Sequence, residues 1–359
     1  MKKASVLYVV FMSVVLSFYS CDKNETSDNN NTNGILPKSF SIDIPSSLSN
    51  NSTTKGLNEE LNGNEVYKLM RAFVFVGDFS AEIIKAEITL LSAFNINKPM
   101  DLTYVSKEDN RQKHLVVVEN ASFEGKNYQY KLTISDGNDI GLQLYWNTNP
   151  VKGVSIIQGY NLNRSEPKNH NAKIRIDYSE AESKYQKQME ISIAGLDTNM
   201  IDKMDKLKMF VGKNNDVLDV YGDANIPAIK HILDPKHTGG YSWVFTARTN
   251  ETLNISVAKV AIPQTTLASV DKIFETYSIF NVINNEIHAV YGNTIPQTII
   301  DSYLKNTATP AYFNGTLGFI SCGELPTGVV GFTSNFVDLS NLTPYVPNDV
   351  NNLTINFGN

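Results

Sequence analysis

The segment from Tyr128 to Ile193 limits the fold more than any other part of the chain. Tyr128, Tyr130, Leu132 and Ile134 alternate with Gln129, Lys131 and Thr133, and Leu142, Leu144 and Trp146 alternate with Gln143 and Tyr145. Further on, Ile174, Ile176 and Tyr178 alternate with Arg175 and Asp177, and Met189, Ile191 and Ile193 with Glu190 and Ser192. Successive strand residues point to opposite faces, so this period of two describes strands with one apolar and one wetted face. The links are rich in turn residues: Asp136-Gly137-Asn138-Asp139 and Asn147-Thr148-Asn149-Pro150. Such links join antiparallel neighbours, so the pattern predicts a meander in one sheet.

Elsewhere the period changes. Phe40, Ile42 and Ile44 alternate as a first strand stopped by Pro45, and the polar stretch 46–64 reads as a long irregular loop. Val66, Leu69, Met70 and Phe73 recur at helical spacing until Gly77-Asp78 interrupts. Ser80 can then cap a second helix carrying Ile84, Ile88 and Leu91, with Asn95 and Pro99 as stop signals. The expectation is a helical hairpin laid on one face of the sheet. Residues 161–171 read as a polar surface loop.

In the second half, the runs 207–211 and 217–221 flank a hairpin signal, Lys213-Asn214-Asn215-Asp216. Tyr241, Trp243 and Phe245 alternate and are answered by Ile255 and Val257, and Val270, Ile273, Phe274 and Tyr277 have helical spacing. Thr294-Ile295-Pro296-Gln297 reads as a capping box opening a helix through Ile300, Tyr303 and Leu304, and the stretch beyond Pro310 as short strands and ordered loops. The fold class expected is α+β: a β-rich antiparallel meander sheet packed against a few helices.

Lys2 and Lys3 precede an apolar run from Ala4 to Phe18, long enough for a signal core and short for a permanent membrane span. It ends at Phe18-Tyr19-Ser20-Cys21, followed at once by a polar, Asn-rich stretch. This order resembles a bacterial lipoprotein signal, with the loose cleavage box seen in Bacteroidetes lipoproteins. The resemblance implies cleavage before Cys21 and lipid on its thiol and new amino group. Residues 1–20 are then the signal peptide and 21–38 a flexible tether. The range 39–197 holds the helical hairpin with the meander, and 198–359 a second α+β half that can share the same domain. The implied localisation is the bacterial cell envelope, anchored to the outer membrane and facing periplasm or surface.

The 359 residues carry a net charge of −6 and no basic stripe, which argues against a nucleic-acid partner. Cys21 and Cys322 are the two cysteines; with Cys21 lipidated no internal disulfide can form, and Cys322, inside an apolar run, reads as a buried inert thiol.

The densest cluster of metal-ligand types is His231, Asp234 and His237. Imidazole and carboxylate suit zinc, yet Pro235 prevents a regular helix from presenting them on one face, so a solvated loop is the plainer reading. Ser302-Tyr303-Leu304-Lys305 matches the Ser-x-x-Lys of penicillin-recognising enzymes, but no Lys-Thr-Gly follows it. With no catalytic motif and no cofactor signature, the expectation is a protein that is not an enzyme and needs no cofactor. One form of a binding role places a hydrophobic ligand in the curve of the sheet, against Trp146, Tyr128, Leu144, Ile176 and Trp243. Its alternative is surface adhesion, glycan binding, or service as an accessory structural lipoprotein of an outer-membrane complex. Partners are then the membrane, through lipid on Cys21, and a hydrophobic ligand or another envelope protein.

Overall fold

A computed structural model describes residues 35, 40–49, 63–94, 96–165, 170–180, 182–196, 204–226, 240–263 and 266–358. The chain is mostly antiparallel β with a few helices, and it divides into two compact units. The first groups residues 1–42, 79–201 and 355–359; the second groups 43–78 and 202–354.

In the first unit seven strands follow one another as neighbours. They are β1 (Met100–Val105), β2 (Gln112–Phe123), β3 (Lys126–Asp136), β4 (Asp139–Thr148), β5 (Val151–Ile157), β6 (Lys173–Glu180) and β7 (Lys187–Ala194). Each pairs antiparallel with the next, as the alternation predicts. Gly137, at φ +61°, makes the tight β3–β4 turn that a residue with a Cβ would resist.

The second unit repeats this meander with β8 (Lys206–Asn214), β9 (Val217–Ile226), β10 (Tyr241–Asn250), β11 (Ile255–Ala261), β12 (Ala311–Asn314) and β13 (Gly318–Cys322). The hairpin signal at 213–216 lies at the β8–β9 turn, with Asn215 at φ +53°.

Two one-turn helices, α1 (Ser46–Ser49) and α2 (Gly63–Val66), precede α3 (Lys68–Ala93). Here the expected helical hairpin is corrected: α3 is one continuous helix of 26 residues, running through Gly77 and Asp78. A helix-interior glycine costs about 1 kcal/mol, little against burying a stripe that includes Met70, Phe73, Val74, Ile83, Ile84 and Leu91. Asp78 has its own role, its carboxylate accepting the Ile44 N–H at 3.1 Å. The expected first strand is also corrected. Phe40, Ile42 and Ile44 are buried, but they pair in no ladder. Where an irregular loop was expected, 46–49 forms α1.

A third departure is α4 (Gly159–Leu162), a one-turn helix at the start of the expected surface loop. Asn161 within it is buried, its amide donating to the Ile140 carbonyl at 2.8 Å.

The second unit adds α5 (Ile273–Thr276), α6 (Ile279–Tyr291), α7 (Gln297–Leu304), α8 (Ser334–Val337) and α9 (Pro347–Asn351). The sequence reading passes over α6. It places α7 correctly but not its cap: Pro296 is the N-cap and makes no side-chain capping bond, so the Thr294 box is not formed.

Candidate functional site

In the first unit the register aligns residues across the sheet. Leu144 lies opposite Ser155, which lies opposite Ile176; Trp146 lies opposite Gly153, which lies opposite Tyr178. Directly paired residues point to the same face. Leu144, Trp146 and Ile176 therefore share one face of the sheet, the face on which Glu87 of α3 meets Ser155.

Their exposures are 1, 0 and 0 %. Buried to this degree, they are core. The Trp146 indole N–H is satisfied, donating to the Ile35 carbonyl at 2.6 Å.

Tyr128 and Trp243 do not join this group. Tyr128 packs with Phe123, Tyr145 and Val154, and Tyr145 alternates with Leu144 and Trp146, so that cluster occupies the other sheet face. Trp243 belongs to the second unit, where it is half-buried with its ring edge-on to Phe73 at 6.4 Å. Cys21, His231, Asp234 and His237 lie outside the described residues.

The covered face carries a polar cluster that the sequence reading missed. Glu87, on α3, is 1 % exposed, and the Ser155 hydroxyl donates to its Oε1. Among the described residues its Oε2 has no partner, and neither does the buried hydroxyl of Tyr178. Tyr178 reaches inward over Gly153, where a Cβ would come within 2.4 Å of the phenol oxygen.

Burial pushes the Glu87 carboxyl up to about 8, against a smaller opposing effect of the Ser155 bond. It is therefore uncharged at neutral pH. Burial also raises the Tyr178 phenol, with the Glu87 carboxylate adding to the effect. The signal was present in the sequence: Glu87 interrupts the stripe of Ile84 and Leu91, and Ser155 falls between Gly153 and Ile157 on the covered phase of β5.

Other titratable clusters are structural. Lys113, 1 % exposed, donates to Asp109 at 2.8 Å, to Asp136 at 3.1 Å and to the Asn161 carbonyl at 3.3 Å. Asp136 also takes a forked pair of bonds from Arg111, at 2.5 and 3.0 Å. That hydrogen bond from Arg111 is the largest influence holding the Asp136 carboxyl well below the usual carboxylate range. In this network every buried charge has an opposite partner, so it locks the β1–β2 and β3–β4 turns together.

In the second unit Arg71 is buried against Asn64 and the Ser46 and Ser47 carbonyls, with no carboxylate partner among the described residues. Burial lowers its guanidinium to about 10. Asp223 is pushed up to about 7 by burial first, then by Asp349, with Lys208 opposing. The Cys322 thiol is half-buried and raised by burial. Among the described residues no group of three His, Cys, Asp or Glu side chains could hold a metal ion.

The outer surface of the second unit is different in kind. Helices α6 and α7 form a hairpin around Ile287, Ile300 and Leu304. Its polar clamp runs from His288 Nε2 to Gln297 Oε1 at 3.0 Å, and from Gln297 Nε2 to Asn284 Oδ1 at 2.9 Å. Ile299 is 59 % exposed and Tyr303, one turn along the same face, 39 %; Val290 and Tyr291 at the end of α6 are 41 and 48 % exposed. Comparison with protein families, with curated proteins and with solved structures returned no match.

Proposed function

We propose that this is a lipid-anchored protein of the bacterial cell envelope, held in the outer membrane through Cys21, with a non-catalytic binding role exercised at its surface. The partner is another envelope component, met in adhesion or in an accessory structural complex. The observation that carries this reading is the apolar face of the α6–α7 hairpin, where Ile299 and Tyr303 stand exposed together. Large exposed apolar groups on one element mark contact surfaces more often than scattered ones do.

The test has two arms. Cys21→Ser releases the protein from the membrane fraction and removes the acyl mass. Replacing Ile299 by a photo-crosslinking residue captures one reproducible partner on intact cells, and Tyr303→Ser weakens that capture. An unacylated mature chain overturns the anchoring; crosslinks no richer than from an exposed polar position on the same unit overturn the binding surface.

A second reading, a hydrophobic ligand held in the first unit, is favoured by the two unpartnered polar atoms at Glu87 and Tyr178. They would meet the polar head of such a molecule, with Leu144, Trp146 and Ile176 displaced around its body. Native mass spectrometry of the form Asp22 to Asn359 decides it. An extra mass released on denaturation supports the ligand, and a bare mass removes it.

A further inference from the structure

Three turns meet at one end of the second unit's sheet. Ile255 lies opposite Asn314 in the β11–β12 ladder, so the β10–β11 turn around Leu253 and the β12–β13 turn around Leu317 fall at the same end. The Gly315 N–H donates across to the Asn254 carbonyl at 2.9 Å and ties these turns together. Gly331 lies so close to the first turn that a Cβ on it would come within 2.6 Å of the Leu253 side chain, and its φ of +103° also favours glycine. That contact brings Val330 to the same end. Leu253, Leu317 and Val330 are 42, 66 and 79 % exposed, Val330 being the most exposed large apolar side chain among the described residues.

Two further features bear on what this end can meet. No Asp, Glu, Lys, Arg or His occurs between Glu251 and Lys259, between Lys305 and Glu324, or between Glu324 and Asp338, in a chain that is 19 % charged. Glu251, at the border, is already paired with Lys213 at 2.7 Å. The second feature is that the turns satisfy their own backbone donors. The Leu253 N–H donates to Asn250 Oδ1 at 2.8 Å, and the Thr316 and Leu317 N–H groups both donate to Asn314 Oδ1, at 2.8 and 3.3 Å. Hydrocarbon offers no acceptor, so a backbone that enters it must arrive with its donors taken. A protein partner is ordinarily met through direct hydrogen bonds, about one per 100–200 Å² of interface, and these donors are not free to make them.

We propose that these three turns dip into the surface of a lipid bilayer, with Leu253, Leu317 and Val330 entering the acyl region. Separate apolar tips suit a fluid surface that closes around each of them, whereas a folded partner would need three matching pockets. With no cation on the tips, the contact depends on apolar burial and not on anionic headgroups. The site stands on the second unit alone. That a bilayer is within reach rests on the proposed anchor at Cys21, and the test leaves the anchor out so that the two readings fail separately.

The mature chain without lipid, Asp22 to Asn359, is mixed with phosphatidylcholine vesicles and floated on a density gradient. The expected result is co-flotation that changes less than about twofold when salt is raised about tenfold. Leu317→Ser combined with Val330→Ser lowers the floated fraction at least about tenfold. Both side chains are exposed, so this double variant keeps the fold. Tyr303→Ser, in the hairpin surface, leaves flotation unchanged. An environment-sensitive dye on Val330→Cys, in a Cys322→Ser background, brightens and shifts to the blue on the same vesicles. No flotation, flotation that salt abolishes or that the double variant leaves intact, or a dye that does not shift, each overturns the proposal. A chain that does not float but forms a dimer which the double variant abolishes assigns the tips to a second copy instead.

Discussion

The Ser155 hydroxyl donates to the Glu87 carboxyl across the helix–sheet interface of the first unit, and no cation accompanies that carboxyl among the described residues. A buried carboxyl without a counter-charge stays protonated well above its usual range, which ties the stability of this unit to pH.

The direction follows from the shift. Folded Glu87 holds its proton up to about 8, while in the unfolded chain the group ionises near its ordinary 4.5. The folded state binds more protons between these values, so its stabilising contribution is full below the lower value. It falls as pH rises toward the upper one, by at most about 1.4 kcal/mol per pH unit. Urea unfolding from pH 5 to 9 should show the midpoint decreasing, and Glu87→Gln should flatten the trend. An unchanged slope in that variant would falsify the assignment.

Tyr178→Phe removes a buried hydroxyl that has no partner among the described residues, while keeping the ring against Phe40. It should leave stability unchanged or raise it by up to about 1 kcal/mol, since an unsatisfied buried polar group costs free energy. Denaturant titration of the variant beside the parent checks this; a loss above about 1 kcal/mol would mean the hydroxyl has a partner.

Gly153→Ala places a methyl within 2.4 Å of the Tyr178 oxygen and 2.6 Å of the Tyr145 carbonyl. One neighbour is backbone and cannot swing aside, so the expected cost is about 1–3 kcal/mol, as for other overpacked cores. Thermal unfolding measures it.

Lys113→Ala leaves the Asp109 and Asp136 carboxylates enclosed without their shared ammonium. Asp136 keeps its forked bonds from Arg111, and Asp109 its bond from the Arg164 N–H, so the expected cost is that of losing hydrogen bonds to charged groups, about 1.5–3 kcal/mol. Asp136 adds an acid limb to the profile. Its folded carboxyl is held below the ordinary value, so its contribution is present above that value and is lost as pH falls through the acid range. The variant should show a weaker acid limb in the same urea series.

The strands were legible because each carries its period of two over several residues, from Tyr130 to Ile134 in β3 and from Met189 to Ile193 in β7. Helix α3 was misread at Gly77-Asp78 because a turn signal is local, while the stripe that overrides it is summed over 26 residues. Phe40, Ile42 and Ile44 alternate like a strand and are buried like one, yet alternation carries no information about a ladder partner.

The candidate site was half legible. Leu144, Trp146 and Ile176 followed from face assignment, whereas Tyr128 turned to the opposite cluster and Glu87 and Ser155 were hidden by assuming that an apolar phase has no polar members. The exposed side of α6–α7 could not be read in advance, because Ile299 and Ile300 are adjacent in sequence and only the packing of the hairpin separates 59 % from 2 % exposure.

The bond from Trp146 to the Ile35 carbonyl fixes where any leash to a membrane must be measured from. If the lipid sits on Cys21, the reach of the chain from it is bounded by the stretch up to residue 35 rather than up to the first strand, at most about 50 Å at full extension. The first unit is then confined to a shell of that depth above the lipid surface. A partner that this unit meets has to present itself within the same layer, and lengthening the span by insertion should widen the layer without altering the fold.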